Sequence, residues 1–108
     1  MTGLHDIYDP ATDTWTSVAA VPTARGGGAG TLYHGMIVFL GGEDDKRTYS
    51  ENEGFDLKAN RWVTLAPMPT GRHGFGAATV GNNLYVISGA KGRGSEQPTD
   101  ETLMFKIP

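Results

Sequence analysis

The chain has 108 residues, 16 glycines, no cysteine and a formal charge of −3. That length holds one small domain. The missing cysteines exclude disulfides, thiolate metal sites and a cysteine nucleophile, and nine basic against twelve acidic residues give no basic field for nucleic acid. Glycine at about twice ordinary usage is too frequent for helices and suits a turn-rich all-β protein.

The N-terminus lacks the basic start and apolar stretch of a signal peptide. The longest apolar run, Met36 to Leu40, is far short of a membrane span, so no membrane partner is expected. The compartment stays open. The first predicted strand ends in Ile7-Tyr8-Asp9, turns at Pro10-Ala11-Thr12-Asp13 and continues as Trp15 to Ala19. A small-residue strand follows from Gly27 to Tyr33, where close backbone approach favours short side chains. His34-Gly35 tolerates the positive φ of a hairpin turn and leads into Met36-Ile37-Val38-Phe39-Leu40. An unbroken apolar run predicts burial on both faces. Gly41-Gly42 and a polar loop then precede Gly54-Phe55-Asp56, a turn over 57–60, and Trp62 to Ala66.

From there the pattern starts again, with Gly74 to Val80, a turn at Gly81-Asn82-Asn83, Leu84 to Ile87, Ser88-Gly89, a second polar loop and a last strand over 102–107. The period is explicit. Tyr8-Asp9 maps to Phe55-Asp56, Trp15 to Trp62, Pro22 to Pro69, Arg25 to Arg72, Gly27 to Gly74 and Gly42 to Gly89, all 47 residues apart without a gap. Phe105 is the third aromatic of the series, displaced slightly by a longer loop. Nine short strands and almost no helix are predicted.

The strings Tyr8-Asp9-Pro10…Trp15…Pro22…Arg25…Gly41-Gly42 and Phe55-Asp56…Trp62…Met68-Pro69…Arg72-His73-Gly74…Ser88-Gly89 resemble kelch repeats over almost the whole chain. One departure is Ser88, which stands where the first glycine of the pair is expected. The resemblance implies blades of a β-propeller, each a four-stranded antiparallel sheet, as an incomplete propeller in one chain. The expected division is half a blade over 3–19, a complete blade over 25–66 and a three-stranded blade over 72–107. Propellers have typically about 4–8 blades of roughly 50 residues each. The expectation is therefore either part of a longer propeller or self-association into a ring. Three copies giving six blades are favoured, with a dimer next, because the third strands of the first and last blades compete for one slot.

The resemblance further implies that the rim made by the fourth-to-first and second-to-third strand connections binds ligands. Arg25, Arg72 and His73 are then the candidate ligand-binding residues, and a planar guanidinium suits a protein surface carboxylate or a small acidic ligand. The alternative for each arginine is a buried bond to loop carbonyls or to an acidic neighbour. The loops 43–48 and 91–98 share that rim, where recognition is commonly carried. Glu43-Asp44-Asp45 lacks the ligand spacing of a calcium loop, and Gly89-Ala90-Lys91-Gly92-Arg93-Gly94-Ser95 lacks the ending of a phosphate loop. His5, His34 and His73 lack zinc-site spacing. No metal or cofactor is expected. Trp15 and Trp62 are expected to pack at the outer part of a blade rather than to stack on sugars, and Asp9 and Asp56 to cap turns rather than to act as catalytic carboxylates. The expected function is a non-catalytic binding module. The alternatives are part of a kelch-type enzyme acting on acidic sugars, resembling sialic-acid mutarotases, or an incomplete gene product.

Overall fold

The computed structural model describes residues 1–106. Among them are nine strands and no helix. β1 (Asp6–Asp9) pairs with β2 (Thr14–Ser17); β3 (Ala29–Tyr33), β4 (Met36–Leu40), β5 (Asn52–Asp56) and β6 (Arg61–Leu65) form a four-stranded sheet; β7 (Gly76–Val80), β8 (Asn83–Ile87) and β9 (Thr102–Phe105) form a three-stranded one. Every pairing is antiparallel and joins strands consecutive in sequence. The three sheets hold two, four and three strands, an open array that fits a partial β-propeller. Ile107, part of the expected last strand, lies outside the described residues.

Turn chemistry sets the registers. Tyr33 pairs with Met36 across His34-Gly35, both at positive φ (49° and 76°), the backbone that matches a hairpin's twist. In the next blade Val80 pairs with Asn83, so Asn83 belongs to the strand and the turn is Gly81-Asn82. The four-residue turns after β1 and β5 each end on a positive-φ residue, Asp13 (53°) and Asn60 (50°). Asp9 Oδ1 accepts from Ala11 N at 2.9 Å and Asp56 Oδ1 from Lys58 N at 3.0 Å, so both aspartates cap turns.

The core fills the space between the second and third blades. Tyr33, Val38, Leu40 and Met68 meet Leu84 and Val86, with Met36, Leu65, Phe75, Ala77, Leu103 and Phe105 around them. The first strands β3 and β7 stand side by side, with Thr31 and Thr79 hydroxyls 3.1 Å apart. Burial on both faces, expected for β4 and β8, is not complete. Ile37 and Phe39 are half-buried and Ile87 is exposed. The reason is local: one face of β4 and of β8 packs into the core between the second and third blades, and the other face does not.

The two tryptophans differ. Trp62 is half-buried, donates from Nε1 to Ala19 O at 2.8 Å and lies beside His5 and Phe55. Trp15 is 71 % exposed and touches the Tyr8 ring. The expected outer packing therefore holds for Trp62 and not for Trp15, which among the described residues has no counterpart of Ala19 beside it.

Candidate functional site

The β2–β3 and β6–β7 connections carry Arg25 and Arg72 to the same end of the blades, beside the Gly41-Gly42 and Ser88-Gly89 bends. Both arginines turn inward. Arg25 is enclosed: its Nε donates to Gly41 O at 2.6 Å, Nη1 to Thr23 O at 2.7 Å and to Glu53 Oε1 at 2.6 Å, and Nη2 to Phe39 O and Glu51 O at 3.3 and 3.2 Å. The Phe39 ring lies under the guanidinium at 4.4 Å. Thr23 donates to the second Glu53 oxygen at 3.0 Å. A fully buried guanidinium is tolerable because its donors are met by carbonyls and a carboxylate.

Arg72 is as buried, 1 % exposed, but less completely bonded. Nη1 donates to Ser88 O at 3.1 Å and Nη2 reaches Glu101 Oε2 at 3.4 Å, while Nε is buried with no hydrogen-bond partner. The difference follows from the sequence. Third strands align through Phe55 and Phe105, which places Leu103 where the complete blade has Glu53. Arg72 instead shares Glu101, which also pairs with Lys91. Lys91 first, and Arg72 more weakly, hold the Glu101 carboxyl below its ordinary range.

The structure thus brings Arg25 and Arg72 to the base of the rim with their side chains directed away from solvent, the bonded geometry weighed beside ligand binding. His73 is nearer the surface, its side chain 12 % exposed. Its Nε2 lies 3.3 Å from Glu43 Oε2 without forming a hydrogen bond. His5 packs edge-on against Phe55, and His34 is a turn residue. No group of three or more potential metal ligands exists among the described residues.

Above this base the two second-to-third loops join. Gly94 N donates to Glu43 Oε2 at 3.0 Å, the Thr48 hydroxyl to Lys91 O at 2.9 Å, and Arg93 to Asp45 O. Short bridges, Gly26 with Glu43 and His73 with Ala90, repeat at the 47-residue period and extend each sheet into its loop. Gly41 and Gly42, at φ 55° and 120°, allow the second blade to touch the third. A Cβ on Gly41 would stand 2.6 Å from Arg72 O, and Gly42 N donates to that same oxygen at 2.8 Å. Inside the first loop, Asp44 accepts from Lys46 N, Arg47 N and the Tyr49 hydroxyl. These bonds, the Tyr49 hydroxyl's first, hold the Asp44 pKa down to about 2. In the glycine-rich segment 89–95 the amides go to separate partners, Ala90 N to His73 O, Lys91 N to Gln97 O, Gly92 N to Glu96 O and Gly94 N to Glu43 Oε2, so they form no phosphate cradle.

Glu53, Glu101 and Glu43 are the residues that sequence reasoning missed. Glu43 aligns with Ala90 and had no periodic signal; Glu53 aligns with Leu103 in the last blade but with Asp6 one period earlier, an acidic match that was the available signal.

No family model matches the chain. Among curated proteins it is 32 % identical over 89 residues to Kelch-like protein 7 of Rattus norvegicus, covering 82 % of this chain and 15 % of that protein. It is 32 % identical over 85 residues to Kelch-like protein terF of Aspergillus terreus, covering 76 % and 18 %. It is 27 % identical over 102 residues to alpha-scruin of Limulus polyphemus, covering 92 % and 11 %. The chain therefore spans less than a fifth of the length of these relatives. The 47-residue period, the consecutive antiparallel blades and these likenesses agree, and the chain belongs to the kelch-repeat family.

Proposed function

We propose that this chain is a non-catalytic protein-interaction module whose docking surface is the rim of the fourth-to-first and second-to-third connections. One observation carries the proposal. The loops of two neighbouring blades are joined through Glu43, Thr48 and Asp45 to Gly94, Lys91 and Arg93, while Lys46, Arg47 and residues 93–98 face solvent. A polar surface held in one shape loses little entropy on docking. In this proposal His73 contributes directly, and Arg25 and Arg72 act through the loop carbonyls they hold. The test is a photo-crosslinking side chain placed at Arg93 or, as control, at Leu57 on the β5–β6 turn. Crosslinks to a discrete partner from Arg93 alone support the proposal; equal labelling from both positions refutes it.

A second element concerns assembly. Leu4, Tyr8 and Trp15 at one end of the array, and Val80, Ile87 and Met104 at the other, leave apolar side chains open. We propose that further blades cover these faces, in a closed trimer of six blades, with a dimer as the alternative arrangement.

A further inference from the structure

Two groups of the third blade approach one carboxylate of the second. Gly94 N donates to Glu43 Oε2 at 3.0 Å, and His73 Nε2 stands 3.3 Å from the same oxygen. The exposed guanidinium of Arg93 reaches across the same joint to Asp45 O. His73 Nε2 is buried and makes no hydrogen bond among the described residues. Gly94, at φ 59°, presents its amide outward from a loop whose Lys91, Gly92 and Glu96 amides are bonded internally. The Glu43 backbone is pinned on both sides by its bridges to Gly26 and Thr48. Its side chain is the part that can leave, and it is 27 % exposed. A backbone amide with an imidazole nitrogen beside it suits a carboxylate.

We infer that this joint between the second and third blades is a carboxylate-binding site, and that Glu43 occupies it as an internal stand-in for a ligand. Resting on the rim proposal above, this assigns the chemistry of what docks there: an acidic side chain of a partner, or a free carboxylate. A tethered carboxylate competes at a high effective concentration, so the free protein holds its own site closed and an incoming ligand must displace Glu43.

The experiment uses the whole chain, isotopically labelled, titrated with glutarate and separately with the blocked tripeptide acetyl-Gly-Glu-Gly-amide, while the Gly94 amide resonance is followed. Glu43→Ala should bind at least one of the two about tenfold or more tightly than the unaltered chain, with Gly94 shifting. Adding His73→Ala to it should abolish the gain. Glu43→Gln, which keeps shape and an acceptor for Gly94 N, should bind more tightly than the unaltered chain by a smaller factor and serves if Glu43→Ala does not fold. Binding of glutarate without the tripeptide assigns a free carboxylate and counts against the partner-protein reading alone. No Gly94 shift in either Glu43 variant, or a shift indifferent to His73, overturns the inference and makes Glu43 a brace between blades only. Rim crosslinking at Arg93 would then still stand by itself.

Discussion

Arg25 and Arg72 show how the same residue at the same repeat position can have two energetic roles. Arg25 has every donor engaged and a buried glutamate opposite, so removing it strands Glu53. Arg25→Met should cost about 3–5 kcal/mol, the scale for breaking a buried pair, and Arg25→Met with Glu53→Leu should recover most of it. Arg72→Met should cost clearly less, because Glu101 is 44 % exposed and keeps Lys91. Urea denaturation of the four proteins checks this; equal losses at the two arginines would overturn it. Ser88 is the other residue where the repeats diverge. It holds φ 62° where the complete blade has Gly41 at 55°. An L-residue there costs about 1–2 kcal/mol, partly offset by the greater freedom glycine loses on folding, so Ser88→Gly should stabilise by about 0.5–1 kcal/mol. A lower melting temperature for Ser88→Gly would refute that. Sequence alone marked both arginines and Ser88, because each stands in the period. It did not give the direction of the guanidinium groups, which depends on carbonyls that converge only after the blades fold.

At the scale of single elements, the hairpins were the most legible. Gly, Asn and Asp at the turns fix register through φ, and strand limits fell within a few residues of the apolar runs. Exposure was less legible, since period-2 alternation cannot say whether a neighbouring sheet exists. Trp15 and Trp62 occupy one repeat position, yet among the described residues only Trp62 has an indole partner, Ala19 O. Trp62→Ala should therefore cost about 2 kcal/mol, below the range for a fully buried aromatic, whereas Trp15→Ala should stay within about 0.5 kcal/mol. Comparable losses at the two sites would mean that Trp15 is covered in solution. The β4–β5 loop carries a pH dependence of known sign. The folded Asp44 pKa, about 2, lies below its ordinary 3.8. Its contribution is thus fully present above the ordinary value and is lost as pH falls through about 2. Amide exchange at Lys46 and Arg47, corrected for its intrinsic pH dependence, should lose protection over that interval. Unchanged protection down to pH 2 would show that the Asp44 bonds do not hold the loop.

For the whole molecule, the blade count was legible from one offset, while the assembly depends on surfaces that no offset describes. The described array has its apolar ends unlike: Leu4 (75 % exposed), Tyr8 (42 %) and Trp15 (71 %) at one, Val80 (66 %), Ile87 (46 %) and Met104 (59 %) at the other. Unlike ends that meet head to tail generate rings when the rotation closes. The internal contact between the second and third blades is the template. Tyr33 and Leu40, buried there, correspond by the 47-residue offset to Val80 and Ile87, which lie open. A joint between copies that repeats this contact would bury Val80 and Ile87 against the next copy. It has one complication, since β1 and β9 are both third strands and cannot fill the same slot. One must be displaced at each joint, which leaves the dimer as the competing closure. Size exclusion with light scattering should give three times the 11.5 kDa of one chain, and Ile87→Lys should lower that mass by charging the joint. A dimer mass would replace the six-bladed ring with paired edges. A monomer unaffected by Ile87→Lys at micromolar concentration would refute self-association and mean that the open faces are tolerated in water or are covered by a different chain.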